Sequence, residues 1–343
     1  MEDWCTPPKS RPDLVGSRGP RQCILSAMTE RASAKTVVHA ALAGNVLVAA
    51  TKLFAATLTG SSAMLSEAVH SFVDIGNEIL LLYGMRRAAL PPDAQHPFGY
   101  GRELYFWSFI VALLVFALGA GVSVYEGIGH ILHPEPISDP LVSYVVLGLA
   151  GVFETGSWLV SLRQFRAAKG ELGYYEAFRR SKDPPSFMVL FEDSAAIAGI
   201  LIAVLGTLAA VQLHEPRFDG LASILIGVVL AVTALLLARE SKSLLIGERA
   251  DARLGDSILR IAAGERSVTR ANGVLTMQLA PDQIIAALSI DFEDHLSAGE
   301  IEDAVSEIER LVRAAHPQVV ALFVKPQTDK SYRQASQSYF AGR

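Results

Sequence analysis

Apolar residues fall along this chain in six long blocks, at roughly 36–58, 63–85, 104–131, 141–165, 186–212 and 218–238. A helix rises 1.5 Å per residue, so about 20 mostly apolar residues cross a bilayer. Each block is long enough, and the pattern predicts six transmembrane helices. The fifth is weakest at its start, where Glu192 and Asp193 interrupt it. Linkers alternate in length. The short ones are 58–62, "LHPEPISDP" and "LHEPRFDG"; the long ones are "RRAALPPDAQHPFGYGRE" and "RQFRAAKGELGYYEAFRRSKDPP".

Past residue 245 the periodicity changes. "DARLGDSILRIAAG" has apolar residues at helical spacing, whereas "GVLTMQLAP" and "QIIAALSIDFED" read as strands. "SAGEIEDAVSEIERLVRAAH" is a helix opened by Ser297, with Glu300 three residues on as in a capping box. "QVVALFVKP" is a last strand. The predicted fold is therefore an α-helical integral membrane protein, with a transmembrane domain over 34–244 and a small α+β domain over 245–328. The order helix–strand–strand–helix–strand is unlike a doubly wound nucleotide fold, and no phosphate-cradling glycine loop precedes a helix.

Residues 1–33 are rich in Pro, Arg and Ser, show no period, and are expected to be disordered. They lack the apolar core of a signal peptide. Met28 precedes "TERASAKTVVHAAL" as a natural start would, so residues 1–27 read as an upstream extension or a mispredicted start. Residues 329–343 are expected to form a disordered tail.

Composition agrees with a membrane protein that carries a soluble part. The chain is 51% hydrophobic and 19% charged, where soluble domains have about 25% charged residues. A formal net charge of -5 offers nothing to nucleic acid. Both cysteines, Cys5 and Cys23, precede the first apolar block, which excludes a disulfide framework and a CxxC zinc site. The long linkers hold Arg86, Arg87, Arg102, Arg163, Arg166, Lys169, Arg179, Arg180 and Lys182, against Arg217 on the short ones. The positive-inside rule puts the long linkers and both termini in the cytoplasm.

One block breaks the apolar rule. "LSEAVHSFVDIGNE" places Glu67, His70, Asp74 and Asn77 at steps of three, four and three, on one helix face. Ionisable groups in hydrocarbon cost several kcal/mol unless they are partnered or functional. His70 and Asp74, one turn apart, form a natural half of a metal site, since imidazole nitrogen and carboxylate oxygen both ligate zinc. The blander reading is hydrogen bonding to neighbouring helices. "VLFEDSAAIAG" supplies the other half, with Glu192 and Asp193 followed by small residues that let helices approach closely. The alternative there is that both acids lie at a wet cytoplasmic edge. Asn45, Lys52 and Glu154 are further polar residues within apolar blocks. Asn45 could orient or supply a ligand, Lys52 could pair with an acid or snorkel, and Glu154 could carry protons.

With these residues in view, the chain resembles the cation diffusion facilitator family. The resemblance spans about residues 34–327. It rests on "GSSAMLSEAVHSFVDIGNE", "HPFGYGRELYFW", "SVYEGI" and the acidic patch of the fifth block. The "FEDSAA" patch and the loop further resemble the branch containing the mitochondrial zinc transporter of animals. The resemblance implies six-helix metal/proton antiporters with a cytoplasmic α+β domain, assembled as homodimers. It maps the membrane ligands onto His70, Asp74 and Asp193. The family's second fifth-helix ligand, a histidine, falls on Val189, so Glu192, Asn45, Asn77 or a water must fill that place, with Glu192 ranked first. The loop metal site of some members keeps Asp93 and His96 but has Tyr100 in place of its second histidine. The last-strand metal site meets "FVKPQ", without a ligand. His295 and His316 are isolated and read as surface residues.

The expected function is export of divalent transition metal from the cytoplasm by proton antiport, with zinc first and Mn2+, Fe2+, Co2+ and Cd2+ as other candidates. Metal ligation needs deprotonated ligands, so the two cargoes compete for the same groups. No cofactor is expected. The compact loops point to a bacterial plasma membrane. Rival readings are a non-transporting metal-sensing or interaction protein and an intramembrane metalloenzyme. The second lacks an HExxH motif and an evident nucleophile.

Overall fold

A computed structural model describes residues 45–340. Helix α1 is described over Asn45–Thr59. The expected first-block residues 36–44, the extension at 1–33 and the last residues 341–343 lie outside the described residues. Next come α2 (Ser62–Ala88), α3 (Glu103–Leu132, with a π-helical turn at Val115–Ala120) and α4 (Pro140–Lys169). A short α5 (Tyr174–Arg180), α6 (Pro184–Gln212) and α7 (Arg217–Ile246) complete the helical part.

Among the described residues four helices, α3, α4, α6 and α7, are long and apolar enough to cross a membrane. Helix α2 has 27 residues, but its polar stripe dilutes the apolar run. The chain is thus a multi-pass membrane-type protein. Helix α7 runs eight residues beyond its expected end at 238, ending where Gly247 adopts a left-handed φ of 114°. Helix α5 was not expected. It forms because Tyr174 and Phe178 have partners: Arg166 Nε donates to the Tyr174 hydroxyl at 2.7 Å, and the Phe178 ring meets Phe187 edge-on.

Small residues set the packing. A Cβ on Gly127 of α3 would lie 2.6 Å from the Gly220 carbonyl of α7, and one on Gly220 would lie 2.8 Å from the Gly127 carbonyl. No side chain fits between these backbones, which is how lipid-embedded helices gain close contact. Ser223 of α7 donates to the Ser123 carbonyl at 2.7 Å, which leaves Ser66 of α2 to donate to the Ser223 hydroxyl. The surrounding core is built from Ala55, Ala63, Ala120, Ala195, Ala222 and Ala234 with Leu and Ile.

Helix α2 is anchored at its first turn. Gly60, at φ 66°, makes the turn from α1, and the Ser61 side chain caps α2 by accepting from Met64 N. Asp219, the buried acid at the start of α7, accepts from Ser61 Oγ (2.7 Å), Ser62 N (2.6 Å), Ser62 Oγ (3.1 Å) and Ala63 N (3.2 Å). The first turn of a helix exposes unpaired N–H groups and a positive dipole end. A carboxylate from another helix satisfies both and fixes the height of α2 against α7.

The small domain contains α8 (Ala252–Ala263), β1 (Val268–Ala280), β2 (Gln283–Phe292), α9 (Ala298–Ala315) and β3 (Val319–Pro326), in the expected order. The sheet order is β1-β2-β3. β1 and β2 are antiparallel, with Leu275 opposite Ala287, and β2 and β3 are parallel, with Ala286 opposite Leu322. A parallel pair needs a crossover, and α9 supplies it. The capping box is present, with Ser297 Oγ accepting from Glu300 N and Glu300 accepting from Ser297 N. Ile258 of α8, Ile308 and Val312 of α9, and Ala286, Leu288 and Ile290 of β2 form the core on one sheet face. The expectation of a disordered tail from 329 is corrected over most of its length: Asp329–Phe340 form helix α10. Its first turn is held by Asp291 Oδ2, which accepts from Asp329 N at 3.1 Å, and Arg333 pairs with Asp329 at 2.8 Å.

Candidate metal centre

Helix geometry places the stripe of α2 inward: Glu67, His70 and Asn77 are buried and Asp74 is partly so. His70 Nδ1 and Asp74 Oδ1 are 3.4 Å apart, as the i, i+4 spacing implies. Among the described residues neither ring nitrogen of His70 has a hydrogen-bond partner, nor do Asp74 Oδ1, Asn77 Oδ1 and Glu67 Oε1, although all are buried. Buried polar atoms are nearly always paired in folded proteins. Unpaired acceptors along one face of one helix are the donor set that a cation takes.

The acids of α6 face two neighbours. Glu192 Oε1 accepts from Asn77 Nδ2 at 3.0 Å, which brings α6 against the lower end of the stripe. Asp193, about 100° further round the helix, turns to α4 and accepts from Ser157 Oγ at 3.1 Å and Ser161 Oγ at 3.0 Å. His70 and Asp74 are therefore together, and Glu192 reaches the same stripe, while Asp193 is held by serines. Among the described residues no three His, Cys, Asp or Glu side chains are gathered closely enough to hold a metal ion. The two acids of α6 thus bond to different neighbours, Glu192 to Asn77 and Asp193 to Ser157 and Ser161. Like-charged carboxylates in a weakly polar interior each take their own donors, and two adjacent residues of one helix cannot face the same way.

Acidic side chains outnumber basic ones around the stripe among the described residues. Asp74 feels the carboxylates of Glu192, Glu154 and Glu67, and one cation, Lys52. Glu154 lies on α4, so acids from α2, α4 and α6 share one electrostatic environment. Lys52 of α1 donates to Glu67 Oε2 at 3.0 Å and to Ser71 Oγ at 2.9 Å. Of the two uses offered by the sequence for Lys52, pairing with an acid is the one found. Val189, where a histidine ligand was sought, is 38% exposed. Ser157 and Ser161 were missed by the sequence reading. Their signal was legible, since Glu154, Ser157 and Ser161 repeat the three-then-four spacing of the α2 stripe.

The loop after α2 has a different chemistry. Asp93 accepts from Gln95 N, from His96 N and, at 2.6 Å, from the Tyr100 hydroxyl. The Tyr100 bond holds the Asp93 carboxyl below its ordinary range and pushes the Tyr100 hydroxyl up. The His96 ring lies on the Tyr100 ring, with centroids 4.1 Å apart. Tyrosine thus occupies the third position as a hydrogen-bond donor to the carboxylate. In the small domain His295 is 76% exposed, as expected. His316 is not free on the surface: it is half-buried, and its Nε2 lies 2.8 Å from Ser257 Oγ of α8.

Comparison with known proteins points the same way. The family model described as the cation efflux transmembrane domain matches residues 38–246. The proton-coupled zinc antiporter SLC30A9, mitochondrial, of Xenopus laevis is 30% identical over 315 residues, covering 89% of this chain and 56% of that protein. Metal tolerance protein C4 of Arabidopsis thaliana is 30% identical over 261 residues, covering 76% of this chain and 57% of that protein. The cation-efflux pump FieF of Cronobacter sakazakii is 28% identical over 287 residues, covering 82% of this chain and 90% of that protein. The chain spans about half the length of the first two relatives. A polar α2 with a His–Asp pair, inside an apolar bundle that the family model matches from end to end, makes this chain a member of the cation efflux, or cation diffusion facilitator, family, in the branch similar to SLC30A9.

Proposed function

We propose that the protein exports a divalent transition metal ion, zinc before others, from the cytoplasm in exchange for protons. The observation that carries this reading is the row of buried, unpartnered acceptors on α2, from Glu67 Oε1 through His70 and Asp74 to Asn77 Oδ1, in an acid-rich environment. Imidazole favours zinc and similar borderline metals, and carboxylates complete the set. His70 and Asp74 are the proposed α2 ligands. Asp193 and Glu192 are the proposed α6 ligands, exchanging their serine and asparagine partners for the ion. The lone pairs that would hold the metal also hold protons, so each cargo displaces the other. The names of the SLC30A9 relatives, which specify zinc and proton coupling, support this choice.

In this reading α1 and α2 also cross the bilayer, giving six spans, because acids on α2 are shielded by α6 and α7 rather than by lipid. The basic long linkers face the cytoplasm, and the membrane is a bacterial plasma membrane, on the strength of the compact loops. A homodimer is the proposed assembly.

Purified protein in liposomes with an imposed pH gradient tests the function. We expect zinc flux that collapses when the gradient is removed, and none from Asp74→Ala or Asp193→Ala. Glu192→Gln should retain slower flux. Gradient-independent zinc movement would sink the antiport reading, and absence of flux in wild-type protein would favour a sensing role.

A further inference from the structure

Metal export as argued above gives no task to Lys52. Its side chain is fully buried, as is that of Glu67, and the two are paired at 3.0 Å. An ion pair is a poor device for joining two helices. Desolvating both charges offsets most of their attraction, and an apolar pair of similar volume serves as well or better. Ala55 and Ala63 already pack in the core around these helices.

Glu67 spends only one of its oxygens on Lys52. Oε1 is buried, has no hydrogen-bond partner among the described residues, and lies against Gly199 of α6, where a Cβ would collide with it. Glycine at 199 therefore leaves room for a carboxylate aimed at the α6 backbone. One turn along α2 lies His70, with both ring nitrogens unpartnered. The acceptors of Glu67, His70, Asp74 and Asn77 thus run in series over about 15 Å of helix rise. Asn77 and Glu192 form the end nearest the basic linkers. Glu67 lies near the capped first turn of α2, toward the opposite side. Among the described residues Lys52 is the one cation acting on Asp74.

We propose that Glu67 is a second cation station, outward of His70 on the exit side, and that the Lys52 ammonium is a tethered cation that keeps it weak. The proposal rests on the export reading. An ion leaving His70 and Asp74 meets Glu67 Oε1 and shares the carboxylate with Lys52. Repulsion between the ammonium and the divalent ion lowers the affinity of the station, so the ion is released rather than trapped. The step is ligand exchange alone. No oxidant or further reactant is required.

Lys52→Met separates this role from a structural one. It removes the tethered charge and leaves Glu67 free, so we expect zinc to bind purified protein at least about tenfold more tightly, because the ammonium no longer repels the divalent ion. Liposome export should fall because release slows. The double variant Lys52→Met/Glu67→Leu removes both charges and keeps the volume. It should fold with wild-type thermal stability, bind zinc with wild-type affinity and export more slowly. If the double variant exports at the wild-type rate, or if Lys52→Met binds zinc no more tightly, the pair is structural and the proposal is overturned. Should Lys52→Met not fold, the double variant and Lys52→Arg decide the matter: normal export by the double variant overturns the proposal, and slow export beside an active Lys52→Arg supports it. Failure of the export reading itself is seen separately, as absence of zinc flux in wild-type liposomes, while the binding comparison still shows whether Glu67 takes a cation when Lys52 is removed.

Discussion

His70 is the residue on which metal choice turns. It is the one nitrogen donor in the proposed set, and its two ring nitrogens are buried and unpartnered. His70→Asp keeps the i, i+4 geometry with Asp74 but makes every protein ligand an oxygen, which suits harder ions such as manganese. Competitive flux should show zinc preference over manganese falling by about tenfold or more, on the ground that each 1.4 kcal/mol is a factor of ten; an unchanged ratio would remove His70 from the ligand set. Asp93 offers a test outside the membrane. The Tyr100 hydroxyl and two backbone N–H groups hold its carboxyl below the ordinary range. A depressed folded value means that the loop arrangement gains from the ionised carboxylate above the unfolded value of about 3.9, and loses that gain as pH falls through the folded value. Tyr100→Phe should bring the Asp93 titration up toward the ordinary value in a carboxyl NMR titration. Because Tyr100 already occupies the third position of this loop, zinc flux should be little changed in His96→Ala.

At the scale of elements, the height of α2 is set by Asp219. One buried carboxylate accepts from Ser61 Oγ, Ser62 N, Ser62 Oγ and Ala63 N. Asp219→Ala leaves these donors buried and unpaired, at a cost of about 3 kcal/mol or more. The expected result is a lower unfolding midpoint in detergent. Asp219→Asn, which keeps one acceptor, should fall between the two. A variant with wild-type stability and impaired flux would instead assign Asp219 a direct part in transport. The same helix shows what periodicity reveals: steps of three and four identified its polar face and its His–Asp pair. They could not reveal which acid of α6 meets it. Glu192 and Asp193 are neighbours in sequence and about 100° apart on the helix, so the rotation of α6 about its axis decides which of them meets α2.

At the scale of the whole molecule, the small domain presents a second sheet face on which Leu275 is 63% and Phe323 55% exposed. Its core faces α8 and α9 on the other side. A domain of this size is marginal alone, and exposed apolar patches mark interaction surfaces. We expect a homodimer with contacts through this domain. Native mass spectrometry from mild detergent should give a dimer, and Phe323→Glu should weaken it; a wild-type monomer in both detergent and bilayer would overturn the expectation. The family relationship says nothing of how tightly the two copies associate, so the mass ratio at several concentrations is the informative measurement.

Sequence by itself determined the long helices of the described residues and the polar pattern along them. Apolar blocks of spanning length, the capping box at Ser297 and the three-then-four spacing of Glu67, His70, Asp74 and Asn77 depend on residues within a turn or two of one another. Such signals survive without knowledge of the fold. It also gave the order of helices and strands along the α+β domain, because periods of two and 3.6 differ. Helix α10 escaped because its polar composition reads as a tail, and its order comes from Asp291, 38 residues away in sequence. Only tertiary structure decided that Lys52 meets Glu67, that Asn77 meets Glu192, that Asp193 turns to Ser157 and Ser161, and that Asp219 caps α2 from a separation of 158 residues. Those pairings follow from how far each helix is rotated and how closely it approaches its neighbour. Rotation and approach are fixed by contacts such as Gly127 on Gly220, which join distant parts of the chain and leave no local pattern.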